Sequence, residues 1–248
     1  MQVRFLNMGD SALTMEIGDH INRNMASSVA AIDHRLGQEL KSKRLVGVIE
    51  AVPTYRSLTV IFDPLILPRA TLKRRLLALF NEDSDVADCA TRCWRLPVCY
   101  DEQFGPDIAA VASAKVLTTA EVISLHADRT YMVYMIGFLP GFPYMGDLDH
   151  ALYMPRRSAP RVRVPVGSVA ITGQQTAIYP WESPGGWQLL GRCPLPLFDA
   201  SRSEPALLAQ GDQVKFEPIS ARSFQLLEVA AQDGSLDLSA FRLKETFA

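Results

Sequence analysis

Residues 161–192 read RVRVPVGSVAITGQQTAIYPWESPGGWQLLGR, and this stretch decides the architecture of the larger part of the chain. Its β-prone runs, 162–171, 176–179 and 187–190, are short and punctuated by Gly and Pro. Similar runs lie on either side, at 131–136, 213–217 and 224–229, while helix signals largely stop after residue 130. Many short strands cut by turn residues predict a closed or nearly closed β-barrel. The punctuation is concentrated here, because residues 137–196 hold eight of the 15 Gly and nine of the 16 Pro.

Upstream, the pattern changes. Segments 2–7 and 11–17 are β-prone and separated by the turn signal Met8-Gly9-Asp10, which predicts a hairpin. Asp19 is a candidate cap for a helix whose stripe of Ile21, Met25, Val29, Ile32, Leu36 and Leu40 repeats at three- and four-residue intervals. Two strands follow at 45–52 and 57–62, and Pro68 opens a second helix carrying Leu72, Leu76, Leu77 and Phe80. This ββαββα order predicts an α+β sandwich. The acidic segment 81–90, NEDSDVADCA, reads as the linker, followed by a strand at 92–99 and helices at 106–115 and 118–128. In the second of these helices Thr118 and Glu121 fit a capping box.

The totals exclude several function classes. A chain of 248 residues, 48% hydrophobic and 21% charged, is an ordinary globular composition with room for two domains. A net charge of −2 argues against a general nucleic-acid binder, which needs clustered Lys and Arg to neutralise phosphates. No run approaches the roughly 20 apolar residues that span a bilayer, and acids interrupt the N-terminal segment where a leader needs an apolar stretch, so the expectation is cytoplasmic. Cys89, Cys93, Cys99 and Cys193 form no Cys-x-x-Cys and are expected to be free thiols. His20, His34, His126 and His150 are scattered, so no metal site is expected.

One charge feature stands out. Between Asp149 and Glu182 lie 32 residues without an acid, containing Arg156, Arg157, Arg161 and Arg163. Without these four charges the remaining chain would carry −6 instead of −2. A guanidinium is a planar fork matched to carboxylate and phosphate oxygens, so the island is a candidate anion site; the competing reading pairs it with acids from elsewhere in the fold. Pro155, Pro160 and Pro165 stiffen the backbone around it. Two neighbouring segments add candidate parts. GFLPGFPYMG, 137–146, offers Phe138, Gly141, Phe142 and Tyr144 for the lip of a pocket, and 173–192 offers Gln174, Gln175, Tyr179, Gly185, Gly186 and Arg192 as donors or bare backbone. There is no G-x-x-x-x-G-K-[ST] loop, no G-x-G-x-x-G, and no G-x-S-x-G elbow. No residue declares itself a nucleophile or base, so catalysis by this chain would come from positioning and stabilising charge, with a partner supplying proton transfer.

These segments resemble one known family, which contains the B component of 5-oxoprolinase, the Kip-type inhibitor of a sporulation kinase and allophanate hydrolase subunit 1. The resemblance is carried by Gly137-Phe138, Gly141-Phe142-Pro143-Tyr144, Pro155-Arg156-Arg157, Pro160-Arg161, Val164-Pro165 and Gly167-Ser168-Val169, then by Gly173-Gln174-Gln175, Ile178-Tyr179-Pro180, Ser183-Pro184-Gly185-Gly186-Trp187, Gly191-Arg192 and Gly211-Asp212. Cys193 stands where the family pattern suggests threonine, which puts a polar role there in doubt, and Leu139 falls at a variable point. The resemblance implies an α+β N-terminal domain, a ferredoxin-like sandwich at 1–85, followed by a cyclophilin-like β-barrel at 91–248. It implies one component of an ATP-dependent complex that opens 5-oxoproline to L-glutamate, inactive alone. The implied partners are the C component of that 5-oxoprolinase, which resembles allophanate hydrolase subunit 2, and its A component. ATP, with magnesium, would be bound by the complex. On this reading Arg156, Arg157, Arg161, Gln174, Gln175, Tyr179, Gly185, Gly186 and Arg192 contact substrate or phosphate. Two alternatives stay open within the family: a binding module that inhibits a sensor histidine kinase, and a component of urea or allophanate metabolism.

Overall fold

The three- and four-residue stripe lies on α1 (Arg23–Lys41) in the computed structural model, which describes residues 2–82 and 92–243. Met25, Val29, Ile32 and Leu36 are buried as the period requires. The helix starts later than the Asp19 signal: Asn22 is the cap, its side chain accepting from the Met25 N–H at 2.9 Å, while Asp19 pairs with His20. The second helix, α2 (Arg69–Asn81), follows Pro68 and buries Leu72, Leu76 and Leu79.

Both helices pack on a sheet of β1 (Val3–Met8), β2 (Ala12–Ile17), β3 (Val48–Pro53) and β4 (Ser57–Phe62). The order is β1-β2-β4-β3 and every neighbouring pair is antiparallel. Hence β2 and β3 run parallel, joined by α1, with β4 inserted between them. Alternation turns Leu13, Met15 and Ile17 of β2 and Leu58, Val60 and Phe62 of β4 to the helices. Each such fully buried side chain contributes roughly 1.5–3 kcal/mol.

The chain divides into two compact units, residues 1–90 and 91–248. The acidic linker reading falls almost wholly on 83–91, outside the described residues, as does Cys89.

The second unit is built on one eight-stranded sheet. Its strands are β5 (Cys93–Val98), β6 (Thr130–Ile136), β7 (Pro143–Gly146), β9 (Ser168–Thr172), β10 (Gln175–Ile178), β12 (Gln188–Arg192), β13 (Gln213–Pro218) and β14 (Arg242–Leu243), in the order β12-β9-β10-β7-β6-β13-β5-β14. The sheet meets itself where Cys99 and Arg192 exchange backbone hydrogen bonds, both 2.9 Å, at the end of β5. A separate ribbon of β8 (Arg161–Val164) and β11 (Ser183–Gly185) accounts for the rest of the quoted stretch. The predicted run 162–171 is therefore two strands, broken at Pro165–Gly167.

Between β5 and β6 stand α3 (Ile108–Lys115) and α4 (Thr119–Ala127), the latter with the expected Thr118–Glu121 capping box. The run at 224–229 is not a strand: it lies inside α5 (Ala221–Gln232), capped by Ser220, with Phe224 buried but Leu226 and Val229 exposed. A short apolar run does not distinguish strand from helix, and here the cap decides.

The sheet carries apolar residues on both faces. Val169, Ile171, Ile178 and Leu190 join the large core with α3 and α4, while the alternate residues Ala170, Ala177 and Leu189 join Phe142, Val164, Tyr179 and Trp187 in a second cluster under the β8–β11 ribbon. This double cover is why β9 is buried at every position and shows no alternation.

Candidate functional site

The site begins with a glycine. After β5 the chain turns back on β12 so closely that a Cβ on Gly105 would sit 2.0 Å from the Leu190 carbonyl oxygen. That approach delivers Asp107 to the strand. Its N–H donates to the Leu189 carbonyl at 3.1 Å, and its Oδ2 accepts from the Leu189 N–H at 2.7 Å. The other oxygen, Oδ1, accepts from Arg157 Nη1 at 2.9 Å and from Arg161 Nη2 at 2.7 Å. Asp107 is 3% exposed, whereas the two arginine side chains are 36% and 23% exposed, so the pair reaches from the interior to the surface.

The segment bearing the arginines is fixed at several points. The Arg157 N–H donates to the Gly186 carbonyl at 2.7 Å and Gln188 Nε2 to the Pro155 carbonyl at 3.1 Å. Arg161 opens β8, opposite Gly185. At Gly185 an added Cβ would lie 2.5 Å from the Tyr179 hydroxyl, so the glycine makes room for the phenol; Gly186 meets only ordinary contacts.

Tyr179 is buried against Phe142, with ring centroids 5.1 Å apart, and Phe142 in turn meets Tyr144 and Trp187. Burial pushes the Tyr179 phenol up to about 12, with Tyr144 reinforcing the shift and Arg156 and Arg161 opposing it. Burial also raises Tyr144, against the pull of Arg156. Both phenols are thus protonated donors at neutral pH. The arrangement offers guanidinium forks and neutral hydroxyls beside an aromatic wall, which suits a small anion with an apolar body.

The predicted residues do not all gather here. Arg156 is exposed at the rim, in the field of both tyrosines. Arg163 forms a two-bond pair with Glu182, both 2.9 Å, on the exposed ribbon, where such pairs contribute little. Arg192 is engaged elsewhere: its Nε donates to the Val166 carbonyl at 2.6 Å, and its guanidinium lies 5.6 Å from the Phe224 ring centroid and 3.6 Å from Glu228. Gln174 is exposed at the β9–β10 turn, and Gln175 keeps a buried Nε2 without a hydrogen-bond partner. Among the described residues no hydrogen bond joins either glutamine to the arginines. Of the lip candidates, Phe142 is buried at the centre of the aromatic cluster, while Phe138 is 64% exposed. Gly141, at φ +77°, lies against Phe198 and the Leu197 carbonyl and fixes that loop.

Asp107 carries the geometry without having been singled out from sequence, and Trp187, quoted there only within the family motif, joins the aromatic wall. Gly105-Pro106-Asp107 reads as a helix start, and a partner 50 residues along the chain leaves no local signal. Cys193 is buried in the large core, and burial pushes its thiol up to about 12, so the position is a packing one. Among the described residues Cys93, Cys99 and Cys193 are buried and form no disulfide, and no group of three or more His, Cys, Asp or Glu could hold a metal ion.

Comparison with known proteins identifies the family of the chain. The family model for the carboxyltransferase domain, subdomain C and D, matches residues 3–208. The chain belongs to that family. Among its relatives, this carboxyltransferase-domain protein is 38% identical to the 5-oxoprolinase B subunit of Bacillus subtilis over 236 residues, covering 90% of this chain and 97% of the relative. It is 44% identical to the 5-oxoprolinase B subunit of Haemophilus influenzae over 179 residues, covering 72% and 82%. Among solved structures it matches TTHA0988 with a TM-score of 0.75 and 35% identity, covering 89% of this chain and spanning only 41% of that one. The urea amidolyase of K. lactis shares the fold, with a TM-score of 0.73 at 21% identity, over 95% of this chain and 16% of that one.

Proposed function

We propose that this chain is the B component of an ATP-dependent 5-oxoprolinase, a hydrolase complex, and that it contributes the anion-binding part of a site completed by the partner A and C components. The observation that carries the reading is its relatedness, along most of its length, to the 5-oxoprolinase B subunits. Its β2-α1-β3 unit with β4 inserted supports a ferredoxin-like sandwich in which the chain's first strand takes the remaining edge beside β2. The sheet that meets itself at Cys99 and Arg192 supports a cyclophilin-like barrel for the second unit. Among the described residues no single helix is long and apolar enough to cross a membrane, and we place the complex in the cytoplasm.

The chemistry asks little of this chain beyond charge and position. Transfer of the γ-phosphoryl group of ATP to the lactam oxygen makes the ring carbon electrophilic. Water adds there and the C–N bond breaks as the nitrogen takes a proton, leaving an acyl phosphate; a second water adds at the same carbon and phosphate leaves with the original oxygen. Arg157 and Arg161 hold the substrate carboxylate through a reaction that does not alter it, and Tyr179 and Tyr144 donate hydrogen bonds without exchanging protons. ATP and magnesium are bound by the complex, whose other components supply the proton-transfer groups. The test is 5-oxoproline-dependent ADP release by the purified complex, with this chain alone as control. We expect turnover from the complex and none from the single chain; a complete complex without 5-oxoproline-dependent ADP release overturns the reading.

A further inference from the structure

Asp107 is used in a way its place in the chain does not require. It stands at the N-cap of α3, where an aspartate ordinarily accepts from the N–H two or three residues on, yet it makes no such bond. Its carboxylate turns instead to Leu189 and to the two guanidinium groups. One acid facing two arginines leaves a net charge of +1. Each guanidinium gives it a single N–H, and Arg157 Nε and Arg161 Nη1 remain buried without a hydrogen-bond partner. Leaving such a donor unpaired costs roughly 1–3 kcal/mol, more for a charged group, and an anion's oxygens would relieve it. A pure rivet between β12 and the 155–161 segment would need one arginine, and two converge on this one carboxylate.

We propose that Asp107 is the positioning and charge-setting residue of this site. It aims Arg157 and Arg161 and cancels one of their two charges, so that the site takes a monoanionic carboxylate in preference to a phosphate dianion. Arg156, exposed at the rim, adds only a solvent-screened charge. The inference rests on the 5-oxoprolinase reading, in which the monoanion is the carboxylate of 5-oxoproline, and it assigns the phosphate produced to groups outside this fork.

The experiment compares the reconstituted complex containing wild type, Asp107→Asn, and the charge-balanced double variant Asp107→Asn with Arg161→Gln. In Asp107→Asn the site goes to +2. We expect KM for 5-oxoproline to rise about tenfold while kcat changes less than about threefold, the loss expected for a misaimed charge-assisted contact. Inhibition by inorganic phosphate, relative to acetate, should strengthen by about tenfold, and the double variant should return that ratio to near wild type. An unchanged ratio in Asp107→Asn, or an equal effect on both anions, overturns the proposal. Should the variants fail to assemble, protection of Arg157 and Arg161 from phenylglyoxal in the wild-type complex, read by mass spectrometry at constant ionic strength, decides it. Acetate protecting at lower concentration than phosphate supports it, and phosphate protecting equally well or better overturns it. Wild-type complex without turnover sinks the 5-oxoprolinase reading alone, because the protection result does not depend on turnover.

Discussion

Among the buried polar centres of the second unit, those at His126 and Asp107 are built on opposite rules. At His126, wholly buried, Tyr100 Oη lies 2.7 Å from Nδ1 and Thr176 Oγ1 2.9 Å from Nε2. Thr176 donates its own proton to the Ala170 carbonyl at 3.1 Å, so it accepts from Nε2–H and leaves Nδ1 to accept from Tyr100. Phe216 stacks on the imidazole at 4.7 Å, and burial pushes the histidine down to about 3, so the centre is neutral with every ring nitrogen paired. At Asp107 the charges do not balance and two donors are left over. Burial alone therefore does not mark a functional group. What separates the centres is whether hydrogen-bonding capacity is exhausted within the fold, as a structural network requires, or held open toward something outside it.

The largest expected effects test that division directly. Arg157→Ala or Arg161→Ala should lower kcat/KM of the complex for 5-oxoproline by at least about a hundredfold, mostly through KM, the scale for loss of a charged contact to the substrate carboxylate. Stability should fall only by about 1–2 kcal/mol, because the remaining arginine still pairs with Asp107 and both side chains are partly exposed. His126→Ala should do the reverse. It opens a cavity and strands two hydroxyls, costing about 3–4 kcal/mol and on the order of 10 °C in Tm, with turnover per assembled complex within about twofold. Activity assays and thermal unfolding on the same preparations check both halves. Parallel losses of stability and turnover at the two sites would erase the distinction.

A smaller effect sharpens the His126 side. Its folded value of about 3 lies below the ordinary 6.5, so the unfolded chain binds the proton more readily. The stability at stake is fully present above pH 6.5 and is lost as the pH falls from there toward 3, at about 1.4 kcal/mol per pH unit. Urea unfolding of wild type and His126→Gln between pH 7 and 5 should therefore show the wild type losing about 2 kcal/mol more than the variant. Equal slopes would mean that the buried imidazole does not set the acid sensitivity.

How much of this was legible from sequence depends on the range of the interaction. The α1 stripe and the capping box at Thr118 follow from local periodicity and cap chemistry, and they stand. FQLLEV suits either strand or helix, and the Ser220 cap that makes Ala221–Gln232 a helix lies outside that run. The arginine island was visible as composition, but its division was not. Arg163 pairs with Glu182 and Arg192 engages α5, while Arg157 and Arg161 share an acid 50 and 54 residues away. The Gly105 approach to β12 brings Asp107 to that meeting, and a glycine before Pro106 reads from sequence as no more than the start of a helix.

The smallest expected effect concerns the rim. Phe138 holds φ +69°, a left-handed conformation unfavourable for a bulky residue, with its ring 64% exposed. Its ring meets Phe142 edge-on at 5.5 Å, a contact that contributes about 0.5–1.5 kcal/mol. Phe138→Ala removes the ring and keeps the strained backbone; Phe138→Gly removes both, so the glycine variant should be the more stable of the two by about 1 kcal/mol. Because that difference arises in the backbone, it separates strain from contact. If the exposed ring completes the lip over the arginines, turnover falls several-fold and equally in both variants. If the ring only packs on Phe142, turnover is unchanged and only stability moves, which would confine the open, ligand-facing part of the molecule to Asp107 and its two arginines.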